Sequence, residues 1–168
     1  MVCWLCWLRS HSHVAGAHHH ARVLDDLSSA SCEFGTCSLP SQEDAECLVI
    51  AFSGVAGNSD EHSGTFLYME ALIAAGITAW RPAALVLNLT NLWYEWGDGM
   101  ARVLGTIPLP TTVVTSSRNR KGLTSLVDAE LFQRPSDWLF DTFPEALRAC
   151  DRKLVAEREG PSADPPVI

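Results

Sequence analysis

Two carboxylates stand three residues apart among aromatic side chains in Trp93-Tyr94-Glu95-Trp96-Gly97-Asp98-Gly99. Aromatic surroundings take water away from a carboxyl group and raise its pKa, which is what a general acid needs. Glu95 and Asp98 are therefore the candidates for acid or base chemistry. The same residues also read as a turn acid and a helix cap, with the aromatics in the core. An exposed Trp96 would instead be an anchor for a partner, because Trp is enriched where interfaces concentrate their energy. The second constellation is the basic run Ser116-Ser-Arg-Asn-Arg-Lys-Gly122. Placed between a strand and a helix, its N–H groups with Arg118, Arg120 and Lys121 suit an anion. Its spacing is not that of a P-loop, and a solvated loop, or an ion pair with the acidic turn, accounts for it equally. Cys3-Trp-Leu-Cys6 has the spacing of a zinc-ligand pair but lacks a matching second pair. His11, His13, His18, His19 and His20 are not regularly spaced, so no metal site is expected. Nor is a Ser-His-Asp triad expected, since His62 is the one histidine beyond residue 20.

These groups can act only if strands and helices bring them to one edge. Leu48–Phe52 is a short apolar run closed by Ser53-Gly54 and reads as a buried strand. Ser59 or Asp60 caps a helix carrying Phe66, Met69, Leu72 and Ile73, with Gly76 as its stop. Ala84–Leu89 is nearly continuously apolar, which suits a strand covered on both faces. Gly97 or Asp98 opens a short helix to Leu104. The β-branched Thr111–Thr115 is the next strand, and Gly122–Phe132 the next helix. Trp138–Phe140 is a very short last strand. Asp141 or Thr142 then caps a helix with Pro144 and Glu145 in its first turn and Ala146, Leu147, Cys150 and Leu154 along one side. The expected fold is a single α/β domain, βαβαβαβα, with a largely parallel sheet flanked by helices. In such folds a site sits where strand carboxyl ends meet helix amino ends, which is where both the acidic turn and the basic loop fall.

Composition narrows the classes. The chain has 168 residues, 47% hydrophobic, and a net charge of -8. That charge argues against wrapping nucleic acid. Nine acidic and no basic residues lie between Arg22 and Arg81, either a solvated acidic face or a dock for a basic partner. Four of the six cysteines and five of the six histidines fall in the first 37 residues. Residues 1–42 read as a low-complexity, disordered extension, residues 43–158 as the domain, and 159–168, with three prolines, as a disordered tail. The apolar start Met1–Leu8 lacks a basic n-region and is too short to span a bilayer, which takes roughly 20 residues. A soluble cytoplasmic protein with reduced thiols is expected, with Cys47 and Cys150 as small core residues.

Three segments carry a family resemblance. The strand and small-Gly turn "LVIAFSG", the strand running into an aromatic, polar turn and helix "ALVLNLTNLWYEWGDGM", and the closing "DWLFDTFPEALRAC" resemble the STAS domain, the anti-sigma-factor antagonist fold, over residues 46–154. The family's turn carries a phosphorylatable Ser or Thr at the helix amino end. Here that turn has no hydroxyl, and Asp98 stands at roughly the matching position as a permanent negative charge. The resemblance implies a regulatory, non-catalytic module that binds a protein partner, without cofactor, nucleic acid or membrane. Its surface would be Trp93, Tyr94, Glu95, Trp96, Gly97, Asp98 and Gly99, with Arg118, Arg120, Lys121 and Gly122 as an anion-binding loop. "WYEWGDGM" and "LPTTVVTSSRNRKGLTSLVDAELF" are also similar to the crotonase-like hydratase/isomerase family. That alternative implies a small enzyme or remnant binding an acyl thioester, with oxyanion-hole N–H groups near Gly97 or Asp98 and at Gly122, and Glu95 or Asp98 as acid or base.

Overall fold

Strand β1 (Ser31–Leu39) turns at Pro40-Ser41 into the long strand β2 (Gln42–Ala56). Helix α1 (Ser63–Trp80), strand β3 (Ala84–Tyr94), helix α2 (Asp98–Gly105), strand β4 (Thr111–Val114) and helix α3 (Arg120–Ala129) follow. The one-turn helix α4 (Pro135–Trp138), strand β5 (Leu139–Phe140) and helix α5 (Phe143–Glu159) complete the computed structural model, which describes residues 24, 28–57, 63–94 and 97–159. The five strands form one sheet in chain order, β1-β2-β3-β4-β5. β1 is antiparallel to β2, and every later neighbour is parallel.

Stepping one strand at a time in one direction puts every right-handed crossover on the same side of the sheet. α1, α2 and α3 accordingly share one face. They bury Phe66, Tyr68, Met69 and Ile73, then Met100, Val103 and Leu104, then Leu123, Leu126 and Val127, against Leu48, Ile50, Phe52, Leu85, Leu87 and Leu89. α5 comes after the last strand, has no strand to feed, and folds back over the other face. There Ala146, Cys150 and Leu154 cover Cys47, Ala84, Val86 and Val114. Polar ties fix it. Asp151, buried, accepts the Ser41 N–H at 3.1 Å and the Ser41 hydroxyl at 2.5 Å. The Thr112 hydroxyl donates to the Ala146 carbonyl at 3.1 Å. Lys153 donates to the Thr111 carbonyl at 2.8 Å and sits 4.5 Å from the Trp138 ring centroid. Thr142 opens α5 by accepting the Ala146 N–H and bonding Glu145 at 2.8 Å.

The structure corrects several expectations. The compact body begins well inside the expected 1–42 extension, because β1 pairs with β2 from Ser31↔Ser53 to Leu39↔Gln42. An edge strand that packs on only part of one face needs little apolar alternation, so "SCEFGTCSL" reads as low complexity although its backbone is laddered. Residues 1–23 of that extension, His62, and the tail from residue 160 lie outside the described residues. The order is ββαβαβααβα, one strand and one short helix more than βαβαβαβα. Gly76 does not stop α1. It lies mid-helix, where an added Cβ would sit 2.9 Å from the Phe34 ring and 3.1 Å from Leu48, so glycine there allows close approach of helix and sheet. α1 ends at Trp80, and the Arg81 N–H bonds the Ile77 carbonyl at 2.9 Å with Arg81 at φ 47°. A left-handed non-glycine residue costs about 1 kcal/mol, and Pro82 prevents any continuation of the helix.

Candidate partner-binding site

The strand expected over Ala84–Leu89 is five residues longer. β3 runs on to Tyr94. Its pairing with β2 goes from Ala51↔Asn88 to Ser53↔Asn91, so β3 carries one extra residue at this point. Asn88 accounts for it locally: its side-chain oxygen accepts the Thr90 N–H at 3.1 Å and the Thr90 hydroxyl at 2.8 Å, the short-range competition with the ladder that Asn favours. A one-residue insertion swaps the faces of everything beyond it. Before the bulge Leu85, Leu87 and Leu89 point at the helices; after it Leu92 and Tyr94 do. Trp93 is thereby turned to the opposite face, where it is 47% exposed beside Val55, its register partner, at 36%.

Asn119 holds this irregular stretch together. It is fully buried, its amide donates to the carbonyls of Leu89 and Leu92, and its oxygen accepts the Ser116 N–H at 2.9 Å. Carbonyls displaced from a ladder must find a donor or carry a desolvation cost, and Asn119 supplies it. The Ser116–Lys121 segment is thus not a free anion loop. Arg120 is committed to the Thr115 hydroxyl at 2.8 Å and to Asp141 at 3.0 Å. Arg118 and Lys121 are exposed, and Gly122 is the third residue of α3, which begins two positions earlier than expected.

On the helix side, Tyr94 anchors the turn. Its ring is buried edge-on to Phe66 at 6.5 Å, and its hydroxyl donates to the Gly97 carbonyl at 3.1 Å. Burial, then the charge of Asp98, push the Tyr94 hydroxyl up to about 12. Tyr94 is therefore a core residue, not part of a recognition surface. Gly97, buried at φ 138°, is the cap residue of α2 and makes no side-chain cap bond. Asp98 is not the cap: it lies exposed in the first turn, where a carboxylate favours the helix dipole. Gly99 packs on Phe66 so closely that a Cβ would lie 2.2 Å from its ring. Glu95 and Trp96 lie outside the described residues. Of the residues expected to bind a partner, Trp93 and Asp98 are exposed, on either side of the sheet edge, while Tyr94, Gly97 and Gly99 build the turn between them.

Among the described residues no helix packs on the sheet face around Trp93. α5 covers the amino half of β2 and β3 and the short strands β4 and β5, over Cys47, Ala84, Val86, Val114 and Phe140. Beyond it lie Ser31, Glu33, Ala51, Ser53, Asn88, Asn91 and Val55, with the Ser31 and Ser53 hydroxyls joined at 2.7 Å. A shallow hollow of about 70 Å³ is lined by Glu33, Ala51, Ser53, Asn88 and Asn91. The signal for this arrangement was present as Asn88-Leu-Thr-Asn91, polar residues in mid-strand, but Asn119 as its partner 30 residues on was not visible. No group of three or more His, Cys, Asp or Glu able to hold a metal ion occurs among the described residues; Cys3, Cys6 and the N-terminal histidines lie outside them. None of the described helices is long and apolar enough to cross a membrane. No protein-family model matches the chain, and no curated protein is significantly similar to it.

Proposed function

We propose that this chain is a non-catalytic regulatory module of STAS type that binds a protein partner through the carboxyl edge of its sheet. The observation that carries the reading is Trp93, a large apolar side chain rotated out of the core by a bulge that Asn88 and Asn119 maintain. A bulge that exposes a tryptophan gives up burial that stabilises the fold, and Trp is the residue most enriched among binding hot spots. Val55 widens the apolar patch, and the flanking Ser53 and Asn91 supply a polar rim. The alternation of strands and helices in strict chain order supports the STAS resemblance. Because an aspartate, Asp98, stands where the family carries a phosphorylatable hydroxyl, recognition in this reading is constitutive rather than kinase-switched.

The test is quantitative partner capture by the tagged full chain, comparing wild type with Trp93→Ala and with Arg152→Ala, exposed on α5, as a surface control. Trp93→Ala is expected to lose the wild-type partners while its thermal midpoint stays near wild type, and Arg152→Ala to keep them. Partners retained by Trp93→Ala would overturn the reading.

A further inference from the structure

Three sulfurs lie together under α5. Cys37 and Cys47 are directly opposed in the β1–β2 register. Their positions place both side chains on the α5 face, where Cys47 and Cys150 are fully buried and Cys37 packs against them half-exposed. The three side chains belong to one cluster, with Cys37 packed against the buried Cys47 and Cys150. All are free thiols. Opposed residues of an antiparallel pair have Cα atoms about 4.5 or 5.5 Å apart, within the span of about 4.4–6.8 Å that a disulfide bridges. The strand register alone therefore places Cys37 and Cys47 within the Cα span of a disulfide.

We propose that Cys37 and Cys47 are a reversible dithiol–disulfide pair, oxidised by a low-molecular-weight disulfide such as glutathione disulfide. The Cys37 thiolate attacks one sulfur of the small disulfide, forming a mixed disulfide and releasing one small thiolate. The Cys47 thiolate then attacks the Cys37 sulfur, the Cys37–Cys47 bond forms, and the second small thiolate leaves. Two protein thiols are oxidised, one small disulfide is reduced to two thiols, and the two protons lost by the cysteines end on the released thiolates.

Access and hydrogen bonding choose this pair over Cys47–Cys150. Cys37 is the member solvent reaches. The Cys150 sulfur is fully buried and held against the carbonyls of Pro110 at 3.2 Å and Leu85 at 3.4 Å, out of reach of a dissolved disulfide. Burial pushes the Cys37 thiol up, and contact with Cys150, then burial, push Cys47 up. Since the thiolate is the attacking form, oxidation is slow at neutral pH and speeds up as pH rises. The bond would clamp the edge strand beside the Pro40-Ser41 turn, which Asp151 ties to α5.

The experiment incubates the full chain with glutathione disulfide in mildly alkaline buffer, blocks remaining thiols, and maps disulfides without reduction. Trypsin is unsuitable, because no Lys or Arg lies between Arg22 and Arg81. Cleavage after glutamate separates the three strand cysteines, since Glu33, Glu43 and Glu46 lie between Cys32, Cys37 and Cys47. The expected result is a Phe34–Glu43 peptide joined to the peptide beginning at Cys47, reversed by dithiothreitol. The joined peptide is lost in Cys37→Ser and kept in Cys150→Ser. Stable glutathione adducts without the joined peptide, a Cys47–Cys150 link, or thiols that remain free would each overturn the proposal.

Discussion

The two faces of one sheet are built to different rules. The face under α1, α2 and α3 is continuous: Leu48, Ile50 and Phe52 of β2 and Leu85, Leu87, Leu89 and Leu92 of β3 are all buried against three helices. The opposite face is divided. α5 seals its amino half around Cys47, Val86 and Val114, and its carboxyl half carries Ser, Asn and Ala with the exposed pair Val55 and Trp93. The same strand, β3, supplies both faces, so the contrast is set by side-chain parity and by the one bulge that reverses it. Stability is concentrated where three helices close the core. Among the described residues the carboxyl half of the other face carries no helix; on the two proposals above it serves recognition, and the half under α5 holds the thiol pair.

Substitutions break or sharpen that contrast, and the largest effect is expected on the closed face. Leu87→Ala removes a fully buried side chain with helices above it and should cost about 3 kcal/mol, within the range for buried leucines. Asn91→Ala on the bare face should change stability by no more than about 0.5 kcal/mol, as exposed positions do. Chemical denaturation of both variants measures the contrast directly; equal losses would mean that the bare face is not bare in solution.

Asn119→Ala comes next. It strips the Leu89 and Leu92 carbonyls of their donor in a buried setting, which should cost about 2 kcal/mol. It should also weaken partner capture, because Trp93 owes its orientation to the bulge those carbonyls belong to. A variant that lost stability but bound normally would separate the bulge from recognition.

How much of this was legible depends on the range of the interactions. The apolar runs Leu48–Phe52 and Ala84–Leu89, the β-branched Thr111–Thr115 and the alternation of strand with helix are local patterns, and they gave the α/β class and a mostly parallel sheet. β1 was not legible, since its order comes from pairing with β2 rather than from its own composition. Gly76 looked like a helix stop because the close approach of Phe34 and Leu48 is tertiary. The Trp93–Gly99 region stood out as unusual, but its division into exposed Trp93 and buried Tyr94 follows from the bulge and from Asn119 of the next crossover. Arg120 looked available for an anion because Asp141, its partner, lies 21 residues away.

Trp93→Ala acts on recognition more than on folding. Truncating an exposed anchor should weaken partner binding by about 2 kcal/mol, roughly 30-fold in Kd, measured by titration once a partner is captured. Stability should move by less than about 1 kcal/mol, because about half of the side chain is already in water.

The smallest effect is expected at Tyr94, where pH separates core from surface. The Tyr94 hydroxyl ordinarily ionises near 10 and is pushed up to about 12 in the folded chain, chiefly by burial. Its protonated form is the one the fold favours, so its contribution is complete below pH 10 and is lost as pH rises from about 10 to about 12. At neutral pH, Tyr94→Phe keeps the ring against Phe66 and loses only the bond to the Gly97 carbonyl, at about 1 kcal/mol. With rising pH that deficit should shrink and then reverse, because the phenylalanine variant has no hydroxyl to ionise. Denaturation midpoints of the two proteins, compared from neutral pH to pH 12, should therefore cross. Parallel curves would mean that Tyr94 ionises as freely as a surface tyrosine, and that the turn leading into α2 is as open as the face that carries Trp93.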